Sequence, residues 1–333
     1  MKIGFIGLGN VGRKLAGSVL RNGFDLTVLD VSPEAMQPFL EKGAHAGESP
    51  AQLARDCDVV FTCLPSPAIC AEVVEGENGL LSGVTAGTIW AEMSTTDAEE
   101  VERLAAKMSA AGGMPIECPV SGGCHRADTG NISIFVGGER EAFDIAFPIL
   151  KVLGRRILHT GPIGSASKLK VMTNYLATAN LLTVCEAMVT CKASGLDLAT
   201  TFEAMRISSG NSFVNETESQ VILNGSRDIN FTMDLVMKDI GLFQKMAETH
   251  NVPLEISPLM IDIFKDGIAR FGARAQSDDI IRRLEEATGL DITAPGFPAE
   301  MIDDEPEEPG YEVIPPRPLI NPKKFLGESL ASC

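Results

Sequence analysis

The sequence is short of positive charge and contains no long apolar run. Among its 333 residues, 28 are Lys or Arg and 45 are Asp or Glu, which gives a formal net charge of -17. This acidic balance argues against nucleic acid or an anionic membrane as the main partner. No apolar run reaches the roughly 20 residues of a membrane-spanning helix. We therefore expect no membrane insertion.

The eight cysteines and four histidines do not form the patterns of a metal site. No two cysteines have C-x2-C spacing, and the histidines do not cluster. This predicts reduced, largely structural cysteines and no bound metal. The chain enters a strand pattern at once, without a charged leader, so we expect a cytoplasmic protein.

The length fits two domains, each large enough for its own core. We predict an α/β Rossmann domain over residues 1–162 and an all-helical domain over residues 163–290, joined by a long interdomain helix. The predicted helices of the second half cover 165–194, 198–207, 212–224, 232–249, 253–269 and 277–287.

The N-terminus contains a dinucleotide-binding motif in its required context. The strand-like run 2–6 precedes Gly7-Leu8-Gly9-Asn10-Val11-Gly12, and a helix-like segment follows. In this G-x-G-x-x-G motif the first glycine permits a tight turn, the second lets a pyrophosphate approach, and the third lets the helix pack closely. The helix N-terminus then attracts the phosphates.

Asp30 ends the second strand-like run and indicates which cofactor is preferred. Its carboxylate can accept hydrogen bonds from the ribose 2′- and 3′-hydroxyls but would repel a 2′-phosphate. Val31 and Ser32 follow, so no arginine is present to accept that phosphate. The sequence therefore favours NAD over NADP.

Further strand-like runs end in turns at Leu64-Pro65, at Ser94-Thr95 and at Ser121-Gly122-Gly123. Ligands bind beyond the carboxyl ends of parallel strands, where these turns would lie. The hydroxyl and unhindered amides of the last turn could form an anion-binding concavity. His125 and Arg126 follow closely, and they either add positive charge to that pocket or face solvent.

The segment 161–186 runs from a glycine- and serine-rich turn into a largely apolar helix. Such a helix is buried, so Lys170 near its start would be partly desolvated. Asn174 shares the face of Lys170 at the i+4 position, and both could reach one small molecule. Lys238, on a later helix, either faces solvent or points into the cleft.

The tail, residues 291–333, is proline-rich and acidic, with eight of the 19 prolines between Pro295 and Pro322. Such a segment cannot form a packed domain alone. It is either a disordered tail or an extended arm across a neighbouring subunit. Its scattered apolar residues, among them Phe297, Tyr311 and Phe325, favour the arm.

Taken together, the chain resembles the β-hydroxyacid dehydrogenase family, which includes 3-hydroxyisobutyrate dehydrogenase. The resemblance covers residues 1 to about 288 and rests on four motifs in the family's order. They are GFIGLGNVG at 4–12, PVSGG at 119–123, GSASKLKVMTN at 164–174 and LVMKD at 235–239.

The resemblance implies an enzyme that binds a small anionic hydroxy acid and assembles as a homodimer or homotetramer. It implies that Lys170 is catalytic and that Asn174 orients the substrate. The substrate's acid group would bind Ser121, Gly122 and Gly123. The cofactor would be lined by Leu64, Pro65, Thr95 and Lys238.

The departures from the family pattern concern the substrate. Glu117 and Cys118 replace the usual Asp and Ala, and Cys124, His125 and Arg126 replace small residues. A bulkier or more anionic acid, such as a sulfonate or a 2-hydroxy-3-oxo acid, is an alternative, although sulfolactaldehyde reductases have an arginine at the position of Gly122. An imine reductase and a non-catalytic NAD-reading module are further alternatives, against which Lys170 argues.

The expected reaction is the reversible oxidation of the hydroxyl group, with Lys170 as general acid and base. Burial and the nicotinium charge would lower the pKa of this lysine, whereas the substrate carboxylate would raise it.

Overall fold

The computed structural model describes residues 1–316. Its first half is one twisted sheet with helices on both faces. The strands are β1 (Lys2–Ile6), β2 (Asp25–Leu29), β3 (His45–Ala46), β4 (Val59–Thr62), β5 (Ile89–Glu92), β6 (Met114–Glu117), β7 (Val120–Ser121), β8 (Ile132–Gly138), β9 (Gly154–Gly161) and β10 (Tyr311–Glu312).

The strands lie in the order β10-β9-β8-β6-β5-β4-β1-β2-β3. Strand β7 is not part of this order and pairs with β8. Strands β1 to β6 run parallel to one another, whereas β8 runs antiparallel to β6. The loops after β1, β4 and β5 therefore meet at one edge of the sheet, which is where ligands bind in such folds.

The helices of this domain pack on the sheet through their apolar faces. They are α1 (Gly12–Arg21), α2 (Pro33–Leu40), α3 (Pro50–Asp56), α4 (Pro67–Glu75), α5 (Leu80–Gly83), α6 (Ala98–Ala110), α7 (Gly123–Asp128) and α8 (Arg140–Leu153). Fully buried aromatic residues form much of the sheet core, among them Phe5, Phe61, Trp90 and Phe143.

The second half is helical, as predicted, with bounds within three residues of those expected. Its helices are α9 (Ser165–Ala193), α10 (Leu198–Arg206), α11 (Phe213–Asn224), α12 (Met233–Thr249), α13 (Ile256–Phe271), a 3-10 turn (Ser277–Ile281) and α14 (Arg282–Thr288). Helix α9, about 44 Å long, packs against β7 and β8 at one end and against α11 and α12 at the other. It therefore joins the two domains.

No helix within residues 1–316 is both long enough and apolar enough to cross a membrane.

Residues 291–316 adopt an arrangement that neither alternative for the tail anticipated. They are extended but lie against their own chain, and Tyr311–Glu312 pairs in parallel with Arg156–Ile157 of β9. The acidic run permits this path because several of its carboxylates meet arginines, as Glu307 meets Arg21 at 3.0 Å. Phe325 and the rest of 317–333 lie outside the described residues.

Candidate active site

The glycine-rich turn between β1 and α1 has the geometry that a dinucleotide site requires. Gly7 has a φ of +95°, and a Cβ there would lie 2.3 Å from the carbonyl oxygen of Cys63. A Cβ on Gly12 would lie 2.1 Å from the carbonyl oxygen of Gly7. Around a Cβ on Gly9, by contrast, no atom of the described chain lies within 4 Å. The fold itself thus requires Gly7 and Gly12, whereas Gly9 leaves the backbone open to a phosphate.

Asp30, at the end of β2, binds this turn directly. Its carboxylate accepts hydrogen bonds from the N–H groups of Leu8 at 2.6 Å and Ser32 at 2.9 Å. The Ser32 hydroxyl donates to the carboxylate of Glu34 at 2.6 Å, which lowers the pKa of Glu34. The carboxylates of Asp30 and Glu34 therefore both lie at the end of β2, each joined to Ser32 by a hydrogen bond.

The loops after β4 and β5 are tied to each other and to the helical domain. The Leu64 N–H donates to the Ser94 hydroxyl at 2.7 Å, and Pro65 follows as an exposed residue. The Lys238 ammonium donates to the carbonyl oxygen of Thr95 at 2.7 Å. The Lys238 side chain therefore points toward the loop after β5, and 23% of it is exposed.

Lys170 is buried on α9, with 7% of its surface exposed. Its Nζ donates to Oδ1 of Asn174 at 2.8 Å, as the i+4 spacing suggested. Burial lowers the pKa of Lys170 from 10.5 to about 8, with Lys238 acting in the same direction and Asp239 opposing it. A lysine with this pKa can gain and lose a proton near neutral pH.

Asp239 completes a chain of polar contacts that the sequence analysis did not identify. It is 2% exposed, and its Oδ2 accepts a hydrogen bond from Asn174 Nδ2 at 2.5 Å. Its Oδ1 lies 3.0 Å from the Nζ of Lys238. The contacts therefore run from Thr95 through Lys238, Asp239 and Asn174 to Lys170. Asp239 directly follows Lys238 in the LVMKD motif, and this position is the sequence feature that could have pointed to its role.

Replacing Asp239 by Asn should shift the pH dependence of catalysis to lower pH. The Asp239 carboxylate raises the pKa of Lys170, so its loss lets that pKa fall further below about 8. If Lys170 is the general base of oxidation, its neutral amine is the active form, and the rise of kcat/KM with pH should occur at lower pH than in the wild type. Glu248→Gln, which removes an exposed carboxylate further along the same helix, should leave the profile unchanged. An unshifted Asp239→Asn profile would contradict the assignment.

Glu117, at the end of β6, caps the helix that carries Lys170. Its fully buried carboxylate accepts hydrogen bonds from the N–H groups of Ala166 at 2.8 Å and Ser167 at 3.1 Å, and also from the Ser167 hydroxyl. Burial raises the pKa of Glu117, and these bonds from the helix act against that rise. A carboxylate here also complements the positive end of the helix dipole. In the sequence, Glu117 stands out only as a departure from the family pattern.

The Ser121-Gly122-Gly123 turn lies between β7 and α7. Gly122 has a φ of +130° and Gly123 a φ of +88°, so L side chains would be strained at both positions. A Cβ on Gly123 would also lie 2.8 Å from Cε1 of His125. Because α9 packs against β7, this turn lies close to the helix that carries Lys170.

Arg126 lies beside this turn with its charge paired to a carboxylate, so it does not face solvent freely. Its guanidinium pairs with Glu305 at 3.1 Å and lies 4.9 Å from the ring centroid of Phe213. The ring of His125 is parallel to that of Phe213, with centroids 6.5 Å apart. Burial and then Arg126 lower the pKa of His125, so the imidazole is neutral at pH 7.

Comparison with known proteins identifies the family. The NAD binding domain of 6-phosphogluconate dehydrogenase matches residues 2–161, and the NAD-binding domain of NADP-dependent 3-hydroxyisobutyrate dehydrogenase matches residues 164–284. The 2-(hydroxymethyl)glutarate dehydrogenase of Eubacterium barkeri is 32% identical over 88% of this chain and 98% of its own length. This chain belongs to the β-hydroxyacid dehydrogenase family.

Other members agree with this assignment. Mitochondrial 3-hydroxyisobutyrate dehydrogenase of Mus musculus is 30% identical over 85% of this chain and 87% of its own length. The 3-sulfolactaldehyde reductase of Escherichia coli K12 is 29% identical over 86% of this chain and 97% of its own length. A solved 3-hydroxyisobutyrate dehydrogenase from Salmonella typhimurium, 24% identical, shares the fold with a TM-score of 0.78 over 85% of this chain and 99% of its own.

Membership of the family makes the protein an NAD(P)-dependent oxidoreductase of hydroxy acids. The predictions of family, fold and enzymatic nature are thus confirmed, and the non-catalytic NAD-reading alternative is wrong.

Proposed function

We propose that the enzyme interconverts a small β-hydroxy acid, such as 3-hydroxyisobutyrate, and its semialdehyde or keto form, with NAD as cofactor. The observation that supports this best is the buried Lys170, whose pKa falls to about 8 and whose Nζ bonds Asn174. Its i+4 partner Asn174 is held in turn by Asp239.

The residues present fit a nicotinamide dinucleotide. The open backbone at Gly9, within Gly7-Leu8-Gly9-Asn10-Val11-Gly12, would hold the pyrophosphate at the start of α1. Asp30 would hold the adenosine ribose. The nicotinamide half would be lined by Leu64, Pro65, Thr95 and Lys238. When bound, the cofactor supplies the hydride acceptor for oxidation and the hydride donor for reduction.

Lys170 would move the proton that accompanies the hydride. In oxidation its neutral amine takes the proton from the substrate hydroxyl, and in reduction its ammonium returns it. Asn174 would orient the hydroxyl-bearing carbon. The Ser121 hydroxyl and the amides of Gly122 and Gly123 would bind the acid group, since convergent N–H and O–H donors favour a carboxylate.

We further propose that NAD is preferred over NADP, by at least about tenfold in kcat/KM, because Asp30 and Glu34 would repel a 2′-phosphate. Asp30→Ala should reduce this preference and weaken NAD binding at least about tenfold, since it also releases the Leu8 N–H. Glu41→Ala, which removes an exposed carboxylate directly after α2, serves as control. Measured kcat/KM and Kd values for both cofactors test the proposal, which fails if NADP is preferred by the wild type.

The decisive experiment follows absorbance of the reduced nicotinamide with NAD or NADP and a panel of acids. The panel contains 3-hydroxyisobutyrate, 3-hydroxypropionate, glycerate, 4-hydroxybutyrate, threonate, serine, 2-(hydroxymethyl)glutarate and dihydroxypropanesulfonate. Turnover of a β-hydroxy acid that Lys170→Ala abolishes would support the proposal. Turnover of the sulfonate alone would favour the aldehyde reductase alternative. A cyclic imine is assayed separately with the reduced cofactor, and its turnover without that of any acid would favour an imine reductase.

A homodimer or homotetramer is also proposed. Large apolar side chains are exposed on the helical domain, among them Leu176, Val252, Ile256 and Leu259. Such a surface is typical of an interface between subunits. Sedimentation equilibrium would measure the subunit number.

A further inference from the structure

The segment after α14 is fastened to both domains, and we name residues 292–313 the strap. Its first part is bound to the helical domain. The side chain of Ile292 is fully buried. The Ala294 N–H donates to the carbonyl oxygen of Leu223 at 2.8 Å. The Ser226 hydroxyl donates to the carbonyl oxygen of Ala299 at 2.6 Å. The strap lies beyond residue 284, where the second family domain ends.

The last part of the strap is bound to the Rossmann domain. The Gly310 N–H donates to the carbonyl oxygen of Lys151 at 2.7 Å, and the Val313 N–H to that of Ile157 at 2.7 Å. Glu312 forms an ion pair with Arg140 at 2.6 Å. The strap therefore connects the helical domain to the Rossmann domain.

Between these attachments the strap contacts the Ser121-Gly122-Gly123 turn. Met301 reaches the turn itself, since a Cβ on Gly123 would lie 3.4 Å from the methyl carbon of Met301. Two residues on, the carboxylate of Asp303 is 2% exposed and accepts hydrogen bonds from the Thr129 hydroxyl and, at 2.8 Å, from Asn131 Nδ2. These are bonds to the end of α7 and the loop after it.

Arg126 is the main ionic contact of the strap with α7. Its Nη2 lies 3.1 Å from Glu305, and its Nε lies 3.9 Å from Asp303. Because Arg126 also lies over Phe213 at the start of α11, the strap, α7 and α11 meet at one point. The neighbouring His125 is thereby placed against Gly123, with a buried Nδ1 that has no hydrogen-bond partner in the described structure.

We propose that the strap determines substrate specificity, with Met301 and His125 forming a wall over Gly123 that limits the substituent next to the acid group. Asp303 and Glu305 hold this wall in place because they contact Arg126, the residue next to His125. The inference rests on the proposed function, because it takes Gly123 as part of the acid-binding turn. The thioether of Met301 makes the wall apolar, and the imidazole Nδ1 offers it a single polar atom. Compact hydroxy acids fit such a site, whereas a long second arm meets the wall.

The test compares full-length wild type with Met301→Ala and with Met301→Leu, which keeps most of the side-chain volume. We would measure kcat/KM with NAD for 3-hydroxypropionate, 3-hydroxyisobutyrate and 2-(hydroxymethyl)glutarate, whose substituents on the carbon next to the carboxylate increase in size. Met301→Ala should raise the ratio of the largest to the smallest acid by about tenfold or more, since removed methylenes are worth that much in a pocket. Met301→Leu should change it by less than about threefold. An unchanged ratio in Met301→Ala would overturn the proposal.

Hydrogen exchange provides a readout that does not depend on turnover. In Asp303→Asn the amides of residues 121–131 should exchange about tenfold faster, because the loop loses charge-assisted bonds. Glu308→Gln, a strap carboxylate that pairs with Arg155 instead, is the matched control. If the wild type turns over no acid, the proposed function fails. Hydrogen exchange alone then tests whether the strap holds residues 121–131 in place. Faster exchange would then support its hold on the turn, and equal exchange would overturn it.

Discussion

Replacing Lys170 by Ala should lower kcat at least about 10²-fold, the usual effect of removing a general acid or base. The reason is specific to this site. The ammonium is buried and its pKa falls to about 8, so the neutral amine is populated near neutral pH. In the oxidation direction, wild-type kcat/KM should rise as pH increases through about 8, and in the reduction direction it should fall over the same range.

Two further variants separate the role of the proton from that of the charge. Lys170→Arg keeps a positive charge but cannot lose its proton at any accessible pH, so oxidation should remain as impaired as in Lys170→Ala. Lys168→Ala is the matched control, since Lys168 lies on the same helix, is about half exposed and pairs with Glu102 at 3.1 Å. Its kcat should stay near that of the wild type. Near-wild-type kcat in Lys170→Ala would refute the proposed role.

Replacing Glu117 by Ala should be the most destabilising of the substitutions considered. It removes the cap of α9 and leaves the N–H groups of Ala166 and Ser167 buried without acceptors. We expect a loss of about 2 kcal/mol in unfolding free energy, which corresponds to about 4 to 8 °C in Tm. We also expect kcat to fall about tenfold at a temperature where the variant is folded, because α9 positions Lys170.

Glu102→Ala provides the comparison for this effect. Glu102 is also close to the start of α9, but both side chains of its ion pair with Lys168 are exposed. Exposed pairs of this kind contribute about 0 to 1 kcal/mol, so Tm and kcat should change little. Glu117→Gln should lie between the two, since it keeps the shape and an acceptor oxygen but loses the charge. Equal Tm values for Glu117→Ala and Glu102→Ala would contradict the capping role.

Several features of this protein follow from the sequence alone because they depend on neighbours along the chain. The turn at Gly7 to Gly12 is one of them, since the motif between a strand and a helix demands glycine for local steric reasons. The contact between Lys170 and Asn174 is another, because residues four apart lie on the same helix face. The helices of the second half were also set by local periodicity, and their observed bounds lie close to those predicted.

The partners that make the candidate site work were decided by tertiary structure. Glu117 caps a helix that begins 48 residues later, Asp239 reaches Asn174 from another helix, and Glu305 meets Arg126 across 179 residues. An isolated carboxylate in the sequence looks the same whether it faces solvent, caps a helix or pairs with a distant arginine. The acidic tail shows this most clearly. Its charges by themselves indicate a solvated segment, whereas in the fold several of them pair with arginines. Which carboxylate meets which cation depends on chain path, and local pattern carries no information about it.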